Sequence, residues 1–368
     1  MRKLISAALI VKDEASHLAA CLQSLESLAD EIVVVDTGSS DDSRQIAMAS
    51  GARLFDYRWR DDFSAARNYA LDQAEGDWIL YIDADERLRR YDRASLEVEL
   101  SNSLLCACTV RFHPRTGFTA YREHRLFRHE SDIRFQGAIH ETILPSLDNM
   151  VTQHHRVVGA SGLTIDHLGY DGDQSRKLER NLKLLVKQLQ VDPDRIYLWW
   201  HLGVVHLQMG ERAEAESAWR RGIEIGRRSL VAGPEASLCF IELAKLFELK
   251  GDVARELVDE AASLRPDNLL VEWMRARILV NGERYSEAIP IFERLARIDA
   301  HSLVHDVSYD RRIFGAWAEA EIGLCKFRMG LFQDSEKHYR RAEEIEPGCL
   351  EFKVKRQLAA ARATTALG

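Results

Sequence analysis

The chain has 368 residues, of which 46% are hydrophobic and 29% charged, and a formal net charge of −8. That composition suits a globular protein of two or three domains, and a sequence pI near 5.9 excludes a dedicated nucleic-acid binder, which needs a strongly basic face. The cysteines Cys21, Cys106, Cys108, Cys239, Cys325 and Cys349 form no CxxC pair and no zinc spacing, so they read as reduced core thiols of a cytoplasmic protein.

The apolar run Leu4 to Val11 is too short to span a bilayer. It continues into Lys12-Asp13-Glu14 with no small-residue cleavage site, so a first buried strand is expected rather than a signal peptide or transmembrane segment. Ala15 to Leu28 then carries Leu18, Cys21, Leu22, Leu25 and Leu28 at helical spacing. Glu31 to Asp36 is a second strand, and Thr37-Gly38-Ser39-Ser40-Asp41-Asp42 a turn rich in helix caps. Ser43 to Ser50 is helical up to Gly51, Ala52 to Tyr57 a short strand and Phe63 to Ala74 a helix. Trp78-Ile79-Leu80-Tyr81-Ile82 is another buried strand, stopping at Asp83-Ala84-Asp85-Glu86. Strands and helices alternating at this size predict a mostly parallel, Rossmann-like sheet.

After Asp85 the pattern changes. Further strands are expected over Cys106 to Phe112, Arg125 to Phe127 and Leu163 to His167. The intervening basic residues Arg111, His113, Arg115, Arg122, His124, Arg125, Arg128, His129 and Arg134 fit either a solvated face or an electropositive rim for an anion. From about Ser175 the chain becomes helical. Trp199, Leu202, Gly203, Gly210, Ala215 and Trp219 follow tetratricopeptide spacing, and Glu319, Gly323, Gly330, Tyr339, Ala342 and Pro347 repeat it. Weaker copies run through Leu243-Ala244, Gly251, Ala261 and Pro266, and through Ala276, Gly282, Ala288 and Phe292, with an insertion around His301 to Arg312. The expected organisation is an α/β domain over 1–174 and an all-α solenoid over 175–368, whose concave surface suits a peptide or protein. Trp199, Trp200, His201, Trp273 and Tyr309 are candidates for that surface, although aromatics at helical spacing are more often core. Homo-oligomers are left open.

Asp83 and Asp85, two apart at a strand end, can share one divalent cation, and hard oxygen ligands suit Mg²⁺ or Mn²⁺ holding a diphosphate. The alternative is a solvated strand-to-loop transition. Asp36, before a tight Thr37-Gly38-Ser39 turn, can accept from an imide N–H such as that of uracil, or cap the next helix. Arg67, among small residues on a helix, can reach a nucleotide or pair with a structural carboxylate.

The strings Ile10-Val11-Lys12-Asp13-Glu14, Val33-Val34-Val35-Asp36-Thr37-Gly38-Ser39-Ser40-Asp41, Ala65-Ala66-Arg67-Asn68, Gly76-Asp77-Trp78 and Asp83-Ala84-Asp85 together resemble the amino-terminal half of a family-two inverting glycosyltransferase of the GT-A fold. The whole chain resembles a subgroup in which that domain precedes tetratricopeptide repeats. Some members glycosylate peptides or proteins, including through cysteine, and others are similar to transferases of surface-polysaccharide or lipopolysaccharide assembly. The resemblance implies a nucleoside diphosphate sugar as donor, with Asp36 on the base, Arg67 on the nucleotide, and Asp83, Ala84 and Asp85 as the DXD motif at the metal-diphosphate site. It also implies a general base to deprotonate the acceptor. No Glu-Asp pair stands in the expected region, so Glu141 is the first choice and His140 the second, the alternative being that they order a loop. His167 resembles a late metal ligand, which would favour Mn²⁺. Two other functions compete: a degenerate nucleotide-sugar-binding scaffold, and a nucleotidyltransferase, for which residues 10–16 offer no glycine-rich phosphate loop.

Overall fold

A computed structural model of the chain describes residues 3–114, 117–169, 175–228, 233 and 235–365. They fold into two compact units, the first taking in 1–116, 120–191 and 304–306, the second 117–119, 192–303 and 307–368.

The first unit holds strands β1 (Ile5–Val11), β2 (Glu31–Asp36), β3 (Arg53–Asp56), β4 (Trp78–Tyr81), β5 (Glu86–Leu88), β6 (Leu105–His113), β7 (Ala120–Arg128), β8 (Val157–His167) and β9 (Val304–His305). Its helices are α1 (Ala15–Leu25), α2 (Ser43–Ala49), α3 (Phe63–Gln73), α4 (Arg93–Glu99), α5 (Leu144–His154) and α6 (Ser175–Val191). The sheet order is β3-β2-β1-β4-β7-β6-β8-β5, with β9 beside β7. The first four strands in that order run parallel. Beyond β4 the sheet becomes mixed: β4–β7, β7–β6 and β8–β5 are antiparallel, while β6–β8 is parallel. The parallel half follows the apolar runs because its strands are covered on both faces. Leu9, Val34 and Leu80 pack on the side of Leu18 and Leu22, whereas Val33, Val35 and Ile79 pack on the side of Leu71 and Phe127. The period-two alternation of a strand divides the residues between these two cores.

β5 and α4 have no counterpart in the sequence reading. Three and seven residues, respectively, are too few to carry a period. The boundary also differs. Helix α6 belongs to the first unit, where Leu184, Leu185 and Leu189 are buried and Gln188 Oε1 accepts from the Ala138 N–H at 2.8 Å. Helical periodicity marks an amphipathic helix but not which body it packs against.

The second unit contains α7 (Ile196–Gln208), α8 (Arg212–Arg228), α9 (Leu238–Leu246), α10 (Gly251–Leu264), α11 (Leu269–Asn281), α12 (Tyr285–Ala296), α13 (Gly315–Arg328), α14 (Phe332–Ile345) and α15 (Leu350–Thr365). Successive helices pack as antiparallel pairs of tetratricopeptide-like form, each burying one face on its neighbours. Small residues make the close crossings. A Cβ at Gly203 would stand 2.2 Å from Trp219 Nε1, so only glycine lets that indole lie across α7. The insertion before α13 ends in a short 3-10 turn, Arg311–Ile313. Tyr309 is 2% exposed and belongs to the core, and Trp273 packs edge-on against Phe292, so neither ring is free for a partner. Among the described residues, no helix is long and apolar enough to cross a membrane.

Candidate functional site

The parallel strands β1, β2 and β4 end on one edge, the usual place for a ligand in an open α/β sheet. A cleft of about 730 Å³ opens there. It is lined from β1 and its extension by Ile10 to Glu14, from α3 by Phe63 and Arg67, and from the turn after β4 by Asp83, Ala84 and Asp85. Thr37, Trp59, Ile139, His140, Glu141, His167 and, on α6, Lys177, Arg180 and Asn181 complete it.

The Ile139–Glu141 segment is presented by a tight loop. Gln136 and Thr142 exchange backbone hydrogen bonds of 2.9 and 3.0 Å, while Gly137 and His140 both take positive φ, 100° and 52°. The Phe63 N–H donates to Ala138 C=O at 2.9 Å, tying the loop to the start of α3. That start is capped by Asp62, which accepts from the Ala65 N–H.

Arg67 joins two of the sequence-predicted residues. Its Nε donates to Glu141 Oε1 at 2.5 Å and its Nη2 to Asp83 Oδ1 at 2.8 Å, with the guanidinium over the Tyr81 ring. Burial disfavours the charged Asp83, but Arg67 and then Arg125 outweigh it and hold this carboxyl below its usual range. Asp85 pairs with His167, Oδ2 to Nε2 at 3.0 Å. That hydrogen bond, working against burial, raises the His167 pKa to about 9. Among the described residues, Asp83 Oδ2 and Asp85 Oδ1 carry no hydrogen bond.

Beneath this turn lies a pair the sequence reading left unused. Arg125 Nη2 meets Glu86 Oε1 at 2.9 Å, with both side chains almost fully buried. Glu86 Oε2 accepts from the Asp83 N–H at 2.9 Å, and the Glu86 N–H donates to Asp83 C=O at 3.0 Å. The acidic turn is therefore clamped from below. Burial raises the Glu86 carboxyl to about 8 against the pull of Arg125. A glutamate placed directly after Asp83-Ala84-Asp85 was the one signal available; its partner, 39 residues on, was not legible.

Two expectations change. Asp36 lies at the edge as foreseen but is 2% exposed. Its Oδ1 accepts from the backbone N–H groups of Gly38 and Ser39, both at 3.0 Å, and from Arg44 at 3.3 Å. Burial is outweighed by the Ser39, Gly38 and Arg44 hydrogen bonds, which hold its pKa below the usual value. It is Thr37, next along, that lines the cleft. Of the run of basic residues, no described member lines the cleft. Arg122 and Arg128 donate to backbone carbonyls, Arg134 pairs with Asp72, and Arg125 is buried as above. Arg115 lies outside the described residues.

The residues fit a divalent cation. Two carboxylates, each with an oxygen that accepts no hydrogen bond among the described residues (that of Asp83 lies 3.8 Å from Arg125 Nη1), and an imidazole line the cleft, a donor set that Mn²⁺ accepts. Residues 6–155 match the family described as Glycosyl transferase family 2. This part of the chain is a family 2 glycosyltransferase domain. A TPR repeat-containing protein of Synechococcus elongatus is 38% identical over 230 residues, covering 61% of this chain and 57% of that one. The prophage-derived glycosyltransferase SunS of Bacillus subtilis is 27% identical over 199 residues, covering 52% and 46%. The chain thus spans about half the length of these curated relatives. Among solved structures, glucosyl-3-phosphoglycerate synthase of Mycobacterium tuberculosis, crystallised with Mn²⁺, UDP and glucosyl-3-phosphoglycerate, aligns with a TM-score of 0.38 at 16% identity, covering 51% of this chain and 79% of that one. The glycosyltransferase domain accounts for the cleft up to the Glu141 loop; His167 and α6 lie beyond the matched residues.

Proposed function

We propose that the chain is a metal-dependent, inverting glycosyltransferase that moves a sugar from a nucleoside diphosphate, best a UDP-sugar, to a peptide or protein. The observation that carries this reading is the acid-rich turn Asp83-Ala84-Asp85, clamped by Glu86 and open to the cleft, within a family 2 glycosyltransferase domain. Asp83, Asp85 and His167 would hold Mn²⁺ or Mg²⁺, which supplies charge neutralisation for the diphosphate. Arg67 orients Asp83 on the metal side and Glu141 on the other, and Asp36, whose two oxygens both accept from its own turn, is read as shaping the loop under the nucleobase.

In the transfer, the acceptor O–H or S–H attacks the anomeric carbon. The bond from that carbon to the diphosphate oxygen breaks, and its electron pair leaves with the diphosphate. The acceptor proton passes to a base. Glu141 serves in this reading: Arg67 occupies Oε1, and among the described residues Oε2 has no hydrogen-bond partner. His140, beside it in the same loop, is the second choice. The helical repeats are read as the surface that engages the acceptor, because stacked helix pairs suit an extended chain.

The test is nucleotide release from a panel of nucleoside diphosphate sugars in Mn²⁺, followed by mass analysis of candidate peptide acceptors. Release that needs Mn²⁺ and vanishes in Asp85→Asn supports the reading. No release and no thermal stabilisation by any nucleotide would refute it, since a ligand of the folded state must raise its stability.

A further inference from the structure

Helix α6 starts 20 residues past the end of the matched domain, yet it supplies Lys177, Arg180 and Asn181 to the cleft. Arg180 is the exceptional member. Its Nε and Nη2 both point at one acceptor, Asn181 Oδ1, at 3.3 and 3.1 Å, and its guanidinium lies over the Phe63 ring, 5.2 Å from the centroid. Among the described residues no carboxylate lies within ion-pair distance of it. Burial alone lowers its pKa, with no charge opposing.

A partly buried cation without a counter-charge is costly unless something anionic arrives. Of the acids that share the cleft, Asp83 and Glu141 pair with Arg67, Asp85 with His167, and Asp13 accepts from the Ser40 N–H and hydroxyl, and none of these four forms an ion pair with Arg180. An anionic ligand in the cleft would supply the charge that Arg180 lacks among the described residues. Stacking on Phe63 fixes the guanidinium plane, and the N–H groups not shared with Asn181 remain as an edge suited to phosphate oxygens. The helix is itself fixed, because Gln188 holds the Ala138 N–H and Ala138 C=O holds Phe63.

We propose that Arg180 grips the diphosphate of the donor and stabilises it as it leaves, making α6 part of the catalytic apparatus rather than of the repeats. This rests on the glycosyltransferase reading above. As the bond to the anomeric carbon breaks, negative charge grows on the departing oxygen, so a donor fixed there binds the transition state more tightly than the substrate.

The experiment compares the unsubstituted chain with Arg180→Ala and Arg180→Lys. Calorimetry in Mn²⁺ measures UDP, TDP, GDP, ADP and CDP, with uridine as a ligand that lacks phosphates. Steady-state kinetics use the best donor. Arg180→Ala should weaken diphosphate binding by about 10- to 100-fold, the usual range for a hydrogen bond to a charged group, and lower kcat. Uridine binding should not change. Arg180→Lys keeps the charge without the fork and should fall between the two. Unchanged UDP affinity and kcat in a folded Arg180→Ala would overturn the proposal, as would equal losses for UDP and uridine, which mark a structural effect. Diphosphate binding by the unsubstituted chain that ignores Arg180 removes this inference alone. If that chain binds none of the five nucleotides, the functional reading falls and the inference with it.

Discussion

The two ends of the parallel sheet use the same kinds of side chain to opposite ends. At the amino-terminal edge, Glu31 accepts from Lys3 Nζ and Arg53 Nη1, both at 2.7 Å, from the Glu75 N–H at 2.5 Å, and from the Ser6 hydroxyl. Lys3 and Arg53 also reach Glu75, so two acids face two bases. Every oxygen is spoken for. At the carboxyl-terminal edge, Asp83, Asp85, Glu86, Glu123 and Glu141 share Arg67, Arg125 and His167, five acids to three bases. That edge opens into a cleft, and three of its carboxylate oxygens, one each on Asp83, Asp85 and Glu141, have no hydrogen bond among the described residues. Ionic groups that satisfy one another serve the fold, whereas a surplus held in place by a buried clamp is poised for a ligand.

The comparison breaks most visibly if the two edges are neutralised in turn. Asp83→Asn or Asp85→Asn should lower transfer by about 10²-fold or more, the several kcal/mol expected of a metal's charge stabilisation, and the loss should persist per folded molecule whatever the change in the unfolding midpoint. Chelator should reproduce the loss in the unsubstituted chain. Full activity of both variants in chelator would sink the metal assignment.

Glu141→Gln should cost about 10²-fold in kcat with a hydroxyl acceptor, the range for lost general-base help. A thiol acceptor, partly ionised near neutrality, should suffer less. Donor affinity measured by calorimetry should hold. Near-normal turnover would move the base to His140.

At the amino-terminal edge the sign reverses. Glu31→Gln should destabilise the chain by about 3 kcal/mol in denaturant titration, since it breaks a buried ionic cluster, and leave kcat per folded molecule unchanged. Its carboxyl is depressed to about 2: burial opposes the charge, but Lys3, Ser6, the Glu75 N–H and Arg53 prevail. A depressed carboxylate gives stability that is complete above its unfolded pKa, near 4.5, and lost as pH falls toward 2. The substitution should flatten this acid limb.

The smallest effect belongs to His167. A histidine raised from 6.5 to about 9 contributes stability in full below pH 6.5 and loses it as pH climbs through 9. Without metal, the unfolding midpoint should drift down over that interval, and His167→Gln should abolish the drift. Saturating Mn²⁺ should oppose it, because a metal ligand must be deprotonated. A midpoint equally pH-dependent in His167→Gln would remove the Asp85 pair as its source.

Much of this was present in the linear sequence. The apolar runs of β1, β2 and β4 state a doubly covered sheet, and their closing carboxylates state its functional edge, because a strand's side-chain period and its buried length are local properties. The glycine and alanine spacing of the helical repeats is local in the same sense: Gly203 beneath Trp219 is a contact made within one helix pair. Tertiary structure alone decided what lies opposite. It brought Arg125 under Glu86, spent Asp36 on its own turn, shared Arg67 between Asp83 and Glu141, and set α6 in the first unit, where it lines the cleft. Pairing of charges depends on which backbones meet after folding, and a guanidinium reads the same in sequence whether it will meet a carboxylate, a carbonyl or a ring.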